Sequence, residues 1–259
     1  MTLRIGIAGI AGRMGRLLAE EVAAAGATLA GGTIRPGAAP DTLPPGLPVL
    51  PDIVALCAAS DVVIDFTHAH AARAHALAAA ETGTPLVLGS SGLSATDEAA
   101  VAAAAQRVPI VYAANFAPGV NLFLAIAERM AAPLPGAQYD AEIVEMHHRQ
   151  KVDAPSGTAV ALGRAVAAGR GTTLEEAGRE SGRDGHCGAR GTGTIGFAAL
   201  RGGQVVGEHT LIFAAASEQI SLTHRSFDRR VYATGAVRAA GWVRGRAPGL
   251  YGMRDVLGM

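Results

Sequence analysis

Leu3-Arg4-Ile5-Gly6-Ile7-Ala8-Gly9-Ile10-Ala11-Gly12-Arg13-Met14-Gly15-Arg16 is the stretch whose reading decides the fold. Leu3–Ala8 is a short apolar run of the kind buried on both faces of a parallel sheet, and Arg13–Ala25 reads as the helix that follows it. Between them a strand-to-helix phosphate turn needs three glycines. One permits a tight turn, one a close backbone approach to a pyrophosphate, and one close helix–strand packing. Gly9, Gly12 and Gly15 supply this pattern, with Ala11 where the usual spacing has its second glycine. The start of the helix offers N–H groups and a positive dipole end to an anion. A glycine-rich turn that is merely structural is the alternative; its place directly after a strand and before a helix favours a nucleotide.

Working outward, strand and helix patterns alternate. Strands are predicted at Thr28–Ile34, Val62–Phe66, Pro85–Leu88 and Ile110–Ala113, and helices at Ala69–Glu81 and Ala95–Arg107. That alternation predicts a doubly wound parallel sheet. The Pro-rich stretch Arg35–Pro51 reads as a surface loop. The second half changes character. Strands are predicted at Glu142–Glu145, Thr194–Leu200, Val205–Phe213 and Gln219–Thr223, with one helix at Gly157–Ala168, which predicts an open mixed sheet in an α+β layer. Arg170–Gly193, rich in glycine and charge, reads as a mobile loop. Gly235–Arg244 reads as a helix that returns to the first domain. The fold class expected is therefore α/β: an N-terminal Rossmann-like dinucleotide-binding domain, residues 1–118 and 229–259, plus a smaller α+β domain, residues 119–228, for substrate binding and oligomerisation.

Lys+Arg and Asp+Glu number 22 each, so no overall basic excess points to nucleic acid. No window of roughly 18 or more apolar residues is free of charge, and the N-terminus enters a strand directly, so neither a membrane span nor a signal peptide is expected. Cys57 and Cys187 make no disulfide framework. A cytoplasmic protein is expected. His68, His70 and His75 open a helix with no carboxylate or cysteine at metal-ligand spacing, and no metal is expected there. His209 and His224 on strand patterns read as partnered structural histidines, Glu208 as a buried or interface polar group, and Trp242 as a core or interface residue.

The second strand ends at Thr33-Ile34-Arg35. An NAD-selective site usually has an acid here for the ribose 2′-OH; the nearest is Asp41, in the loop. Arg35 is available for a 2′-phosphate, with Arg13 as helper. A solvated arginine at a strand end is the alternative.

The densest chemistry is Glu142-Ile143-Val144-Glu145-Met146-His147-His148-Arg149-Gln150-Lys151-Val152-Asp153-Ala154-Pro155-Ser156-Gly157-Thr158-Ala159. It starts as a strand, passes through a polar loop and ends at a helix start. Ser156 suits the cap, and Gly157 and Thr158 present N–H groups to a carboxylate. His147, His148, Arg149 and Lys151 attract a dianion and supply protons. A helix start needs only Ser156; the preceding cations are what a purely structural reading leaves over.

Glu-x-His-His-x-x-Lys-x-Asp-Ala-Pro-Ser-Gly-Thr-Ala resembles the signature of the dihydrodipicolinate reductase (4-hydroxy-tetrahydrodipicolinate reductase) family. So do, in family order, Gly9–Arg16, Asp65-Phe66-Thr67, Gly89-Ser90-Ser91-Gly92, Ala114–Asn121, Gly193–Phe197, Gly207-Glu208-His209-Thr210 and Gly235-Ala236-Val237-Arg238. The resemblance implies that His147 is the active-site acid/base and Lys151 the proton donor. It puts substrate carboxylates on His148, Ser156, Gly157 and Thr158, with Arg229 as a further contact. It gives the cofactor to Gly9, Ile10, Ala11, Gly12, Arg13 and Met14, to Gly89, Ser90 and Ser91, and to Ala113, Ala114, Asn115 and Phe116. The implied substrate is a small cyclic dicarboxylate, the cofactor NADPH or NADH, and the assembly a homotetramer joined through second-domain sheets. Two departures stand out. Ile34 replaces the acid the family often has before Arg35, which leans the cofactor toward NADPH, and Ser90 and Ser91 replace threonines. Another NAD(P)-dependent small-substrate dehydrogenase would explain the glycine turn without the His-His-x-x-Lys segment. A non-catalytic NAD(P)-binding regulator would predict loss of His147 or Lys151, and both are present.

Overall fold

The computed structural model describes residues 2–35, 43 and 46–259. The chain divides into two compact units, Met1–Pro118 with Arg230–Met259, and Gly119–Arg229.

The first unit is built on β1 (Arg4–Ala8), α1 (Arg13–Ala24), β2 (Thr28–Gly32), α2 (Ile53–Ala59), β3 (Val62–Asp65), α3 (Ala69–Thr82), β4 (Leu86–Leu88), α4 (Ala95–Ala105) and β5 (Pro109–Tyr112). The second contains α5 (Pro118–Ala131), which begins at the boundary, then β6 (Asp140–His147), α6 (Gly157–Gly169), α7 (Leu174–Ala177), β7 (Arg179–Ser181), β8 (Ile195–Arg201), β9 (Gly207–Ala214) and β10 (Gln219–Ser226). The chain then re-enters the first unit as α8 (Arg230–Val243), β11 (Gly249–Tyr251) and α9 (Met253–Leu257).

The first sheet has the order β11-β5-β4-β3-β1-β2, and all its pairings are parallel. Successive side chains of a strand face opposite ways, and here both faces are covered. Ile5, Ile7, Ile64, Val87 and Val111 pack with Val237 and Ala240 of α8 on one side. Val63, Leu86, Leu88 and Ile110 pack with Ala76, Ala79, Val101 and Ala105 of α3 and α4 on the other. That is why the strands read as unbroken apolar runs. The strand order reverses at β1, between β2 and β3, and in such sheets ligands bind beyond the carboxyl ends of the strands at the reversal.

The second sheet is mixed and open, in the order β10-β9-β6-β8-β7. β9 runs antiparallel to β6 and β10, whereas β6, β8 and β7 are mutually parallel. One face is closed by α5 and α6: Ile143, Ile195, Phe197, Leu211 and Phe213 meet Phe123, Ala127, Leu162 and Val166.

Several expectations need correction. The supposed mobile loop Arg170–Gly193 contains α7 and the edge strand β7. Thr173 and Glu176 form a capping box that starts α7, and Arg190 binds Glu142, Asp140 and the Ala141 and Thr194 carbonyls. Glycine and charge hid a three-residue strand that relies on its neighbour rather than its own pattern. Of the two readings of Glu208, buried or interface, the buried one does not hold, since its side chain is partly exposed and pairs with Arg225. His75 is more than a polar residue near a helix start, since its Nδ1 lies 2.6 Å from the buried Asp65 carboxylate. Most of the expected Pro-rich loop, Asp41 included, lies outside the described residues. No helix among the described residues is long and apolar enough to cross a membrane.

Candidate functional site

In the first unit the three glycines do three different jobs. Gly9 has a φ of 72°, in the left-handed region, and an added Cβ would sit 2.8 Å from the Thr67 methyl. Gly12 is the N-cap of α1, has no side-chain cap, and donates its N–H to the Gly9 carbonyl at 2.9 Å. At Gly15 a Cβ would come within 2.4 Å of the Gly9 carbonyl oxygen, so the helix presses on the turn. Thr67 is fixed by Asp65, whose carboxylate accepts its N–H at 2.7 Å and its hydroxyl at 2.6 Å. The ends of β1 and β3 thus hold each other at the strand-order reversal.

Ser90 follows β4 and is 3% exposed, with its Oγ lacking a hydrogen-bond partner in the described structure. A buried hydroxyl of this kind calls for a partner, and a bound cofactor can supply it. After β5, Asn115 accepts the Ala117 N–H at 2.9 Å and shapes the loop that buries Phe116. Ile10, Ala11, Arg13 and Met14 lie on the turn and first helical residues, Ser91 and Ala114 are exposed, and Gly89 and Ala113 are half-buried. A dinucleotide fits this set: a side-chain-free helix start, a glycine cradle and an orphaned hydroxyl at the carboxyl ends of neighbouring strands. Arg35 is exposed just beyond β2, and Ile34 packs on the core.

In the second unit the residues of the His-His segment meet around one carboxylate. Glu145, 1% exposed, accepts four hydrogen bonds from three residues. Arg201 gives its two terminal nitrogens to the two oxygens at 2.8 Å each. The His147 Nδ1 donates at 2.6 Å and the Ser156 N–H at 3.0 Å. Arg201 also holds the Asp153 carbonyl at 2.6 Å, fastening the polar loop to the sheet. Ser156 caps α6 by accepting the Ala159 N–H, and its Oγ lies 2.9 Å from the His209 Nε2. Gly157 and Thr158 open the helix. Lys151 donates to Asp153 at 2.8 Å. His148 is half-buried with an unpartnered Nδ1, and Arg229 takes no part in this cluster.

These contacts set the charges. Burial pushes the Glu145 carboxyl up, but hydrogen bonds from Arg201, His147 and Ser156 outweigh it and hold the group below the usual carboxylate range. Burial pushes His147 down, Glu145 pulls it back, and the Lys151 and Arg201 cations push it down again; the balance is a depressed value and a neutral ring. His209, buried and beside His147, is depressed to about 4. The cluster therefore holds a neutral imidazole, an ammonium and a helix N-terminus side by side: a proton acceptor, a proton donor and an anion site.

The sequence reading missed Glu145 and Arg201 as site residues. Glu145 and His147 are two apart on a strand, so the period of 2 puts them on one face, which was a readable signal. For Arg201 there was none. It faces His147 only through the β6–β8 register, which pairs the two residues. His209, expected as a partnered histidine, is so at Nε2, through Ser156, but its Nδ1 is buried without a partner in the described structure. Trp242 packs beside the first core, against Tyr251. Among the described residues no group of three or more His, Cys, Asp or Glu is placed to hold a metal ion.

Comparison with known proteins follows the same division. A family model described as dihydrodipicolinate reductase, N-terminus, matches residues 3–116, and one described as dihydrodipicolinate reductase, C-terminus, matches residues 119–257. The 4-hydroxy-tetrahydrodipicolinate reductase of Granulibacter bethesdensis is 66% identical over 258 residues, covering 100% of this chain and 98% of the relative. That of Acidiphilium cryptum is 60% identical over 257 residues, covering 99% and 98%. Among solved structures, the dipicolinate-bound dihydrodipicolinate reductase of Paenisporosarcina sp. TG-14 matches with a TM-score of 0.80 at 24% identity, over 98% of this chain and 99% of that one.

Proposed function

The chain belongs to the dihydrodipicolinate reductase family, and from that premise we infer that it is a 4-hydroxy-tetrahydrodipicolinate reductase, an oxidoreductase of the diaminopimelate route to lysine that uses a nicotinamide cofactor. The observation that carries the reading is the cluster around Glu145, where imidazole, ammonium and helix start stand together in one short segment. The substrate is a cyclic dicarboxylate. The α6 N-terminus, through the Gly157 and Thr158 N–H groups, takes one carboxylate; His148, with Arg229 as a further cation, takes the other.

The nicotinamide, when bound, supplies a hydride for a ring carbon made electron-poor by conjugation with the imine. The residues to hold it are Gly9–Met14, Gly89–Ser91 and Ala113–Phe116. Reduction adds a hydride and a proton and releases water, so a proton must be delivered beside the ring. Lys151 carries one as an ammonium ion paired with Asp153. His147, neutral, presents a nitrogen that takes a proton rather than one that gives it. The first unit then serves the cofactor and the second the substrate and assembly. The homotetramer would form through the face of the second sheet that α5 and α6 leave open, where Leu200 is 52% exposed. The reaction is assigned to the cytoplasm.

NADPH is the favoured cofactor. With Ile34 in place of an acid, the end of the second strand puts no carboxylate where a 2′-phosphate would lie, and the Arg35 guanidinium offers it a planar fork of donors. The test is oxidation of NADPH and NADH by the purified protein with freshly made substrate, for the wild type, Arg35→Ala and Ile34→Glu. Turnover is expected with both cofactors. Arg35→Ala should weaken NADPH roughly tenfold and spare NADH, and Ile34→Glu should move preference toward NADH. No turnover with either cofactor would sink the activity; equal losses for both in Arg35→Ala would sink the NADPH preference.

A further inference from the structure

Glu145 and Arg201 take no step in the reaction proposed above, yet the hydrogen bond that holds the His147 ring ends on Glu145, and Arg201 binds that same carboxylate. A carboxylate oxygen only accepts, so the His147 Nδ1, 2.6 Å from the Glu145 Oε2, carries a hydrogen. In a neutral ring the other nitrogen, Nε2, is then bare. Glycine keeps that nitrogen approachable: a Cβ at Gly207 would lie 3.1 Å from it. A carboxylate so close to an imidazole would ordinarily draw a second proton onto the ring. Here its two oxygens are both taken by the Arg201 fork at 2.8 Å.

We propose that Glu145 and Arg201 are a matched pair of positioning residues: Glu145 fixes which nitrogen of His147 carries the proton, and Arg201 neutralises Glu145 so that the ring stays uncharged with Nε2 as the acceptor. The proposal rests on His147 being the acid/base group. The groups bearing on the ring come from each neighbouring element: Glu145 on β6, Arg201 on β8, His209 on β9, with His224 beyond it on β10, and Lys151 with Asp153 in the loop. Among the charged groups Arg201 is bound directly to Glu145 along both oxygens, which makes its removal decisive.

The pair makes opposite predictions for its two members. Without Arg201 the bare carboxylate raises the His147 midpoint; without the Glu145 charge the unopposed cation lowers it further. Histidine-selective ¹⁵N spectra across pH 5 to 9, read beside the pH dependence of kcat, follow both midpoint and tautomer. The His147 signal is identified by its loss in His147→Ala. Arg201→Gln should move the midpoint and the acid limb of kcat up by about one pH unit or more. Glu145→Gln should move both down and cut kcat roughly tenfold or more. Arg201→Lys, which keeps the charge and loses the fork, should fall between the wild type and Arg201→Gln. Shifts in the same direction, no shift, or a wild-type ring protonated on Nε2 would overturn the pairing. If His147→Ala keeps normal turnover, the acid/base role of His147 is what fails, and the spectra still judge the pair.

Discussion

At the scale of single residues, the site is an arrangement of protons. In the proposed reaction Lys151 gives one and His147 takes one, so removing either side chain should damage the chemical step. Lys151→Ala and His147→Ala are each expected to lower kcat by roughly a hundredfold or more, with cofactor affinity within about twofold, because both stand in the second unit and the glycine turn in the first. Steady-state kinetics with both substrates varied checks this; near-normal kcat in both variants would remove the assignment. His147, Lys151 and Ser156 were legible because their residue types and spacing suit little else. Glu145 stood in the same quoted segment without a role, and Arg201 went unnoticed. The partner of a side chain on a strand is set by register, and β6 and β8 pair in parallel across a long connection, so no local turn announces which residue faces His147.

At the scale of elements, β1 to β5 of the first sheet and α1, α3 and α4 were legible to within one or two residues, since unbroken apolar runs and glycine punctuation mark them. Six elements of three residues or more were not: α2, α5, α7, β7, β11 and α9. α5 begins Pro118-Gly119, a pair that reads as a turn, although proline is well suited to a first helical turn. β11 is three residues long and depends on β5 for its hydrogen bonds. The Gly235-Ala236-Val237-Arg238 motif was recognised but had no reason attached, and packing supplies one. Gly235 lies within α8, and a Cβ there would fall 1.8 Å from the Phe116 carbonyl oxygen. The helix backbone therefore rests on the loop that follows β5. Gly235→Ala must push that loop aside. It should cost about 1–3 kcal/mol and raise KM for the nicotinamide cofactor while leaving KM for the dicarboxylate nearly unchanged. Thermal melting and kinetics test it, and an unchanged Tm would mean that the contact is slack.

At the scale of the whole molecule, the buried polar cluster makes the fold sensitive to acid. His209 is held neutral in the folded chain, with its value depressed from 6.5 to about 4, so the unfolded chain binds the extra proton first. Its contribution is fully present above about pH 6.5 and is lost as pH falls toward 4, on the order of 3 kcal/mol from this residue. His147, also depressed, acts in the same direction, and Glu145, held low, adds its loss below the usual carboxylate range. Melting temperatures should be level above pH 7 and fall steadily below 6.5, with His209→Gln flattening part of the slope; a level profile down to pH 5 would contradict this. The path of the chain has a consequence of another kind. Ile5, Ile7, Ile64 and Val87 are covered by α8, and β5 gains its outer neighbour from β11, yet both come from the last thirty residues. During synthesis the ribosome emits the first unit's sheet early and its cover last. The unit that begins first is finished second, and Gly119–Arg229, whole as soon as it emerges, can be folded while the opening strands still wait for their lid.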